Sequence, residues 1–269
     1  REIIQKESMD ESLKNRLWSC LFEKIFQGYS KYPGYENTFK PLIDSIWSEF
    51  IKLPLDEIPI PSKIPQAIKQ YIYGQEWFVL YDLIEFIINT KQGEVHWEHG
   101  YKVYSQPDLI KSFNIILESE NSAYRIINDQ IIEVTSEQEI QSIEEALANT
   151  NPYSGVQQHL NQALKLISDR QNPDYRNSIK ESISAVEALA MLLLEDNSIT
   201  LGKAIPRLRT KYELHPTLME SLNKLYGYSS DENGVRHGSP EESSISYIDA
   251  KFMLVACTNF INYLIEKTK

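Results

Sequence analysis

Apolar residues in the first half of the chain recur mostly at helical spacing. Leu13, Leu17, Leu21 and Ile25 follow one another every four residues, Trp18, Phe22 and Phe26 widen the stripe, and Asp10 stands at the N-cap position. A second helix is predicted over about Pro41–Ile51, with Leu42, Ile46 and Phe50 in register. The segment Leu53–Pro65 holds Pro54, Pro59, Pro61 and Pro65 and reads as an extended strap. Gln66–Asn89 reads as one long helix, apolar nearly all round in its second part. After a helix near Pro107–Glu118 the period changes to that of strands. Tyr124–Ile127 and Gln130–Val134 flank Asn128-Asp129, the signature of a hairpin. Ser136 then opens an acidic helix, with Glu139 placed for a capping box, that ends at Asn149–Pro152.

The second half reads as helices only. Ser154 is placed to cap a helix striped by Val156, Leu160, Ala163, Leu164 and Ile167, and Asn172-Pro173-Asp174 opens another striped by Ile179, Ile183, Val186, Ala190 and Leu193. Thr200 is placed to cap a short helix to about Leu208, and Pro216 begins a fourth. A polar loop, Gly227–Pro240, precedes a last helix over about Glu241–Lys267. That helix carries two apolar tracks. Ile245, Ile248, Phe252 and Val255 form one and Tyr247, Leu254, Cys257, Ile261 and Leu264 the other, so that one track can serve the core while the other meets a partner chain. The expected fold class is all-α (mainly helical) with a small hairpin, in two domains, 1–150 and 151–269.

Composition narrows the classes. The chain has 269 residues, 42% of them hydrophobic and 24% charged, a globular balance that excludes low-complexity and disordered types. No uncharged apolar run approaches the roughly 20 residues of a bilayer crossing, and the first residues lack a signal-peptide core, so no membrane role is expected. Cys20 and Cys257 lie in apolar helical patterns and read as core thiols of a reducing, cytoplasmic protein. The net charge of −11 is uneven. Residues 1–149 hold 14 Lys and Arg against 24 Asp and Glu, whereas 150–269 hold 13 against 14, so only the second half can offer a local basic surface.

The most pointed stretch is Tyr226–Pro240, which delivers adjacent Arg236 and His237 to the head of the last helix. An arginine, a histidine and a helix N-terminus make a positive site for phosphate; the plainer alternative pairs Arg236 with Asp231 or Glu232 and pins the loop. Glu187 lies on or beside an apolar stripe and calls for a nearby cation, for which Arg236 is the candidate. Weaker signals are His96-Trp-Glu-His99 as a metal site, Arg209 and His215 at a nuclease-like spacing, and Tyr29, Tyr32 and Tyr35 as base-stacking rings. A surface loop, a helix connection and ordinary packing account for these three. No phosphate-binding loop, dinucleotide fingerprint, nucleophile elbow or Cys-x-x-Cys is present, and no metal or cofactor is implied.

The strings Asn177–Ala188, Leu225–Gly238 and Ala250–Asn262 resemble the HEPN helical domains attached to AbiJ-type abortive-infection proteins, and Met9–Trp18 is similar to the start of the N-terminal domain found with them. The resemblance implies a four- or five-helix up-and-down bundle that pairs as a homodimer, and a metal-independent endoribonuclease of antiviral defence. Arg236 would match the family's arginine and His237 the polar residue beside it. Where the family's histidine belongs, this sequence has Glu241, Glu242 and Ser243. In the expected mechanism Arg236 stabilises the charge that develops as the ribose 2′-hydroxyl attacks the adjacent phosphate. His237 moves the proton, and Glu187, Asp231, Glu232 and Asn233 support them. The alternative is a non-catalytic module that binds a nucleotide or a regulatory protein.

Overall fold

The computed structural model describes residues 4–27, 36–90, 106–134, 136–230 and 245–269. Among these residues the chain forms eleven helices and one two-stranded antiparallel hairpin, and it divides into compact units at Glu133/Val134. The mainly helical fold expected from the periodicity is the fold observed.

In the first unit, α1 (Glu11–Leu21) starts where Asp10 accepts the Leu13 N–H, at 2.8 Å, and runs on through a π-helical turn, Phe22–Phe26. Leu13, Leu17, Leu21 and Ile25 are all buried, as their spacing requires. α2 (Glu36–Ser45) likewise ends in a π-helical turn, Ile46–Phe50. The proline-rich strap is less extended than expected, because Leu55–Glu57 and Pro61–Lys63 each close a 3₁₀ turn. Ile64 and Pro65 already belong to the next helix, whose first turn tolerates a residue without an N–H. The single long helix expected over Gln66–Asn89 is two, α3 (Ile64–Tyr73) and α4 (Val79–Asn89). Gly74, a poor helix former, ends α3 with its N–H on the Gln70 and Tyr71 carbonyls. The break that follows lets Trp77 pack its ring against Tyr81 and Tyr124.

α5 (Gln106–Ser119) leads into β1 (Tyr124–Ile127) and β2 (Gln130–Glu133), joined by Asn128 and Asp129 at φ 48 and 65°. Two consecutive positive φ values make the primed turn that matches strand twist. A lone hairpin is marginal in water. Here helices supply its missing partners: the Asn114 amide donates to the Ile126 carbonyl and accepts the Ile126 N–H, and Glu85 accepts the Ile131 N–H.

The second unit holds six helices: α6 (Glu137–Asn149), α7 (Ser154–Ser168), α8 (Tyr175–Leu194), α9 (Leu201–Lys211), α10 (Pro216–Ser230) and α11 (Tyr247–Thr268). α8 packs against α7, α9, α10 and α11. Ser178 donates to the Ala163 carbonyl and Asp174 N–H to that of Leu166, so α7 and α8 run antiparallel. α6 belongs to this unit by its packing. Ser142 meets Thr258 at 3.0 Å, Asn262 donates to the Ser142 carbonyl, and Lys251 pairs with Glu139 at 3.2 Å. Glu139 is therefore not turned back as a capping-box residue, although Ser136 does cap its N–H. Ser154 is the first helical residue of α7, not its cap, and no side chain caps that helix. α11 is long and apolar enough to cross a bilayer, but half of that stretch is buried within the unit, as in a core helix.

These positions fix a stability contrast on one helix. Phe113 is fully buried on α5 whereas Ile115 is 55% exposed. Phe113→Ala lowers unfolding free energy by about 3–5 kcal/mol in a urea titration, and Ile115→Ala changes it by less than about 0.5 kcal/mol.

Candidate functional site

The expected site gathers Arg236 and His237 with Glu187, Asp231, Glu232 and Asn233. Of these only Glu187 is among the described residues; the other five, together with Glu241, Glu242 and Ser243, lie in the segment 231–244 outside them. The same holds for Tyr29, Tyr32 and Tyr35 and for His96, Glu98 and His99.

Glu187 is half-buried on α8, and among the described residues it pairs with no cation. Its Oε1 accepts the Leu201 N–H at 2.7 Å. Leu201 is the first residue of α9, and Thr200, expected to cap that helix, makes no side-chain cap bond. A carboxylate from a neighbouring helix thus satisfies an amide that α9 cannot satisfy itself, and its charge complements the positive end of the helix. This explains a carboxylate beside an apolar stripe without Arg236.

The head of α11 also differs from the expectation. The described helix begins at Tyr247 with Ser246 as its cap. Ser246 accepts the Asp249 N–H, while the Asp249 carboxylate accepts the Ser246 N–H at 2.8 Å and the Ser246 hydroxyl at 2.7 Å. These hydrogen bonds, the hydroxyl's first, hold the Asp249 carboxyl below its usual range. Burial and then the Asp249 charge push the Tyr228 phenol up. The dipole that was to attract phosphate is already met by a carboxylate of its own first turn.

Arg209 ends up near the C-terminus of α9 and His215 just before α10, both exposed; the Leu214 N–H donates to the Arg209 carbonyl within that connection. Cys20 and Cys257 are buried free thiols, and burial pushes the first up to about 11 and the second to about 12. Neither is a nucleophile at neutral pH. Among the described residues no group of three His, Cys, Asp or Glu side chains is placed to hold a metal.

A further cluster was not found from the sequence. α9 carries Lys203, Arg207, Arg209 and Lys211 in eleven residues, all exposed, and no acidic residue. Arg207 pairs with Asp196 at 2.7 Å, and Lys211 donates to the Leu193 carbonyl at 2.8 Å. Hydrogen bonds from Arg207 and then Ser198 hold the Asp196 carboxyl low. Asp196 is set by the end of α8, where Glu195 takes φ 54° and the Asp196 N–H closes on the Met191 carbonyl. The run Lys-x-x-x-Arg-x-Arg-x-Lys was the available signal.

Residues 1–149 match the family model of AbiJ N-terminal domain 4, more than half of the chain. The protein belongs to that family and carries its abortive-infection domain. No curated protein and no solved structure matches the chain.

The Glu187 cap has a measurable weight. Glu187→Ala lowers stability by about 1 kcal/mol in denaturant melts followed by circular dichroism, whereas Glu187→Gln, which keeps an acceptor oxygen, loses less.

Proposed function

We propose that this protein is an abortive-infection effector whose C-terminal unit cleaves RNA in the cytoplasm without a metal. The carrying observation is the match of residues 1–149 to an AbiJ domain, followed by a helical unit whose α10–α11 connection holds Arg236-His237. In this reading Arg236 stabilises the charge developing on the phosphate as the 2′-hydroxyl attacks, and His237 transfers the proton to or from the reacting oxygens. Asp231, Glu232 and Asn233 position them. Glu187 acts at a distance, by fixing the start of α9, and is not in contact with substrate.

The reading includes a homodimer. On α11 the positions 248, 252 and 255 follow the three-and-four spacing of a two-helix seam, and Ile245 stands just before the cap. Ile248 is 69% and Phe252 60% exposed, with Ile245 and Val255 half-buried beside them. Two copies joined there would bring two Arg236-His237 loops to one end of paired helices.

A second reading has a specific observation in its favour. Glu241, Glu242 and Ser243 stand where the resembled nucleases carry a histidine, and Asp249 caps the helix mouth. Both disfavour cleavage and suit a module that binds a nucleotide or a regulatory protein.

Incubation of total RNA with the parent, Arg236→Ala and His237→Ala forms, each checked for cooperative melting, separates the two. The nuclease reading expects cleavage by the parent and losses of about 10²-fold or more in each folded variant. A parent that leaves RNA intact, or variants that cut equally well, overturns it. Sedimentation velocity tests the pairing: the parent runs as a dimer and Ile248→Glu/Phe252→Glu as a folded monomer, and a monomeric parent overturns the seam.

A further inference from the structure

The geometry points to α9 as the RNA-docking face of the C-terminal unit, with Lys203, Arg207 and Lys211 meeting successive phosphates of a single strand and Arg209 reaching it from the flank. The inference rests on the RNA reading above but uses different residues. Leu201, Ala204, Ile205 and Leu208 are buried and fix which side of α9 faces the unit. The outward positions that remain are the four cations, together with Pro206 and Thr210. Every long side chain on that face is therefore positive, and its neutral positions are short enough for a backbone to approach closely. Gly202 shows how tightly the helix is seated on its neighbour, since a Cβ there would stand 3.4 Å from the Tyr226 ring.

Lys203, Arg207 and Lys211 follow at intervals of four residues, one line along the helix with about 6 Å of rise between members. Two members of the line are oriented from outside α9, Arg207 by Asp196 and Lys211 by the Leu193 carbonyl. Asp196 offsets one charge, and the Leu193 carbonyl leaves the ammonium charge intact. Lys203 and Arg209 make no ion pair among the described residues, so their charges are available to a ligand. The contrast with the head of α11 favours this face, because Asp249 already occupies that helix end. A polyanion gains from releasing counterions along such a line whatever its base sequence. The recognised class is single-stranded RNA, held by its backbone.

The test is a fluorescence-anisotropy titration of a labelled single-stranded RNA oligonucleotide with the full chain, between about 50 and 200 mM salt. The parent binds, and Lys203→Ala/Arg209→Ala, which leaves both oriented cations in place, binds at least about tenfold more weakly, its log–log salt slope shallower by about 1.4 for two lost phosphate contacts. Lys165→Ala/Lys180→Ala, which removes exposed cations from α7 and α8, binds as the parent does. No binding by the parent at the lowest salt, or an equal loss in the α7/α8 variant, overturns the proposal. Equal affinity for polyglutamate overturns the assignment to RNA in favour of an acidic protein. In the Arg236→Ala background, which loses cleavage, removing Lys203 and Arg209 still weakens RNA binding by the same factor. A parent that binds through α9 but never cuts therefore refutes the nuclease alone, and one that cuts equally well without Lys203 and Arg209 refutes α9 alone.

Discussion

The hydrogen bond from the Leu201 amide to the Glu187 carboxylate governs how the second unit presents its charges. Helix nucleation is unfavourable, and an eleven-residue helix such as α9 has little margin of its own. By accepting the first amide, Glu187 fixes the residue at which α9 begins, and the start of a helix sets the rotational phase of everything after it. Leu201, Ala204, Ile205 and Leu208 then fall on the buried side and the four cations on the other. A start displaced by one residue would turn the face by about 100° and press a lysine or arginine toward the core. The Glu187 carboxylate thus serves as a cap borrowed from the neighbouring helix.

The same economy of polar contacts runs through the unit. Ser178 and Ser182 are fully buried on α8, and each spends its hydroxyl on a helix carbonyl, Ser178 across to α7 and Ser182 back within α8. Small residues there allow α7 and α8 to approach closely, while hydrogen bonding removes the penalty of burying the hydroxyls. α6 and α11 use longer groups, with Ser142, Asn149, Thr258 and Asn262 joined in one chain of contacts. The first unit reaches its stability by another route. There the hairpin is completed by Asn114 and Glu85, and the aromatic rings of Trp77, Tyr81 and Tyr124 pack beside it.

Sequence patterns carried the fold wherever one local rule decided it. The four-residue stripe from Leu13 to Ile25, the Asn128-Asp129 turn and the Asp10, Ser136 and Asp174 caps all stand as their residues dictate. Elsewhere a distant group decided between local options. Gly74 ended a helix and left Trp77 free to pack against Tyr124, and Thr200 lost its capping role to a residue fourteen positions earlier. Ser246-x-x-Asp249 was readable as a capping box, but the apolar tracks around it drew the helix start forward. Of the anticipated site, Glu187 was noticed for a sound reason, a carboxylate on an apolar face, and the partner it has among the described residues is the Leu201 amide. A donor from a helix terminus satisfies such a group as well as a cation does. Nothing local distinguishes the two.

The seat of α6 bears on how proteins of this kind can exchange parts. The matched family segment ends at residue 149, yet Glu137–Asn149 lies in the second unit and shares hydrogen bonds with α11. A genetic crossover at that border would carry a foreign strut into the bundle, leaving Ser142 and Thr258 to find new companions. Breakpoints ahead of Ser136 keep the bundle whole.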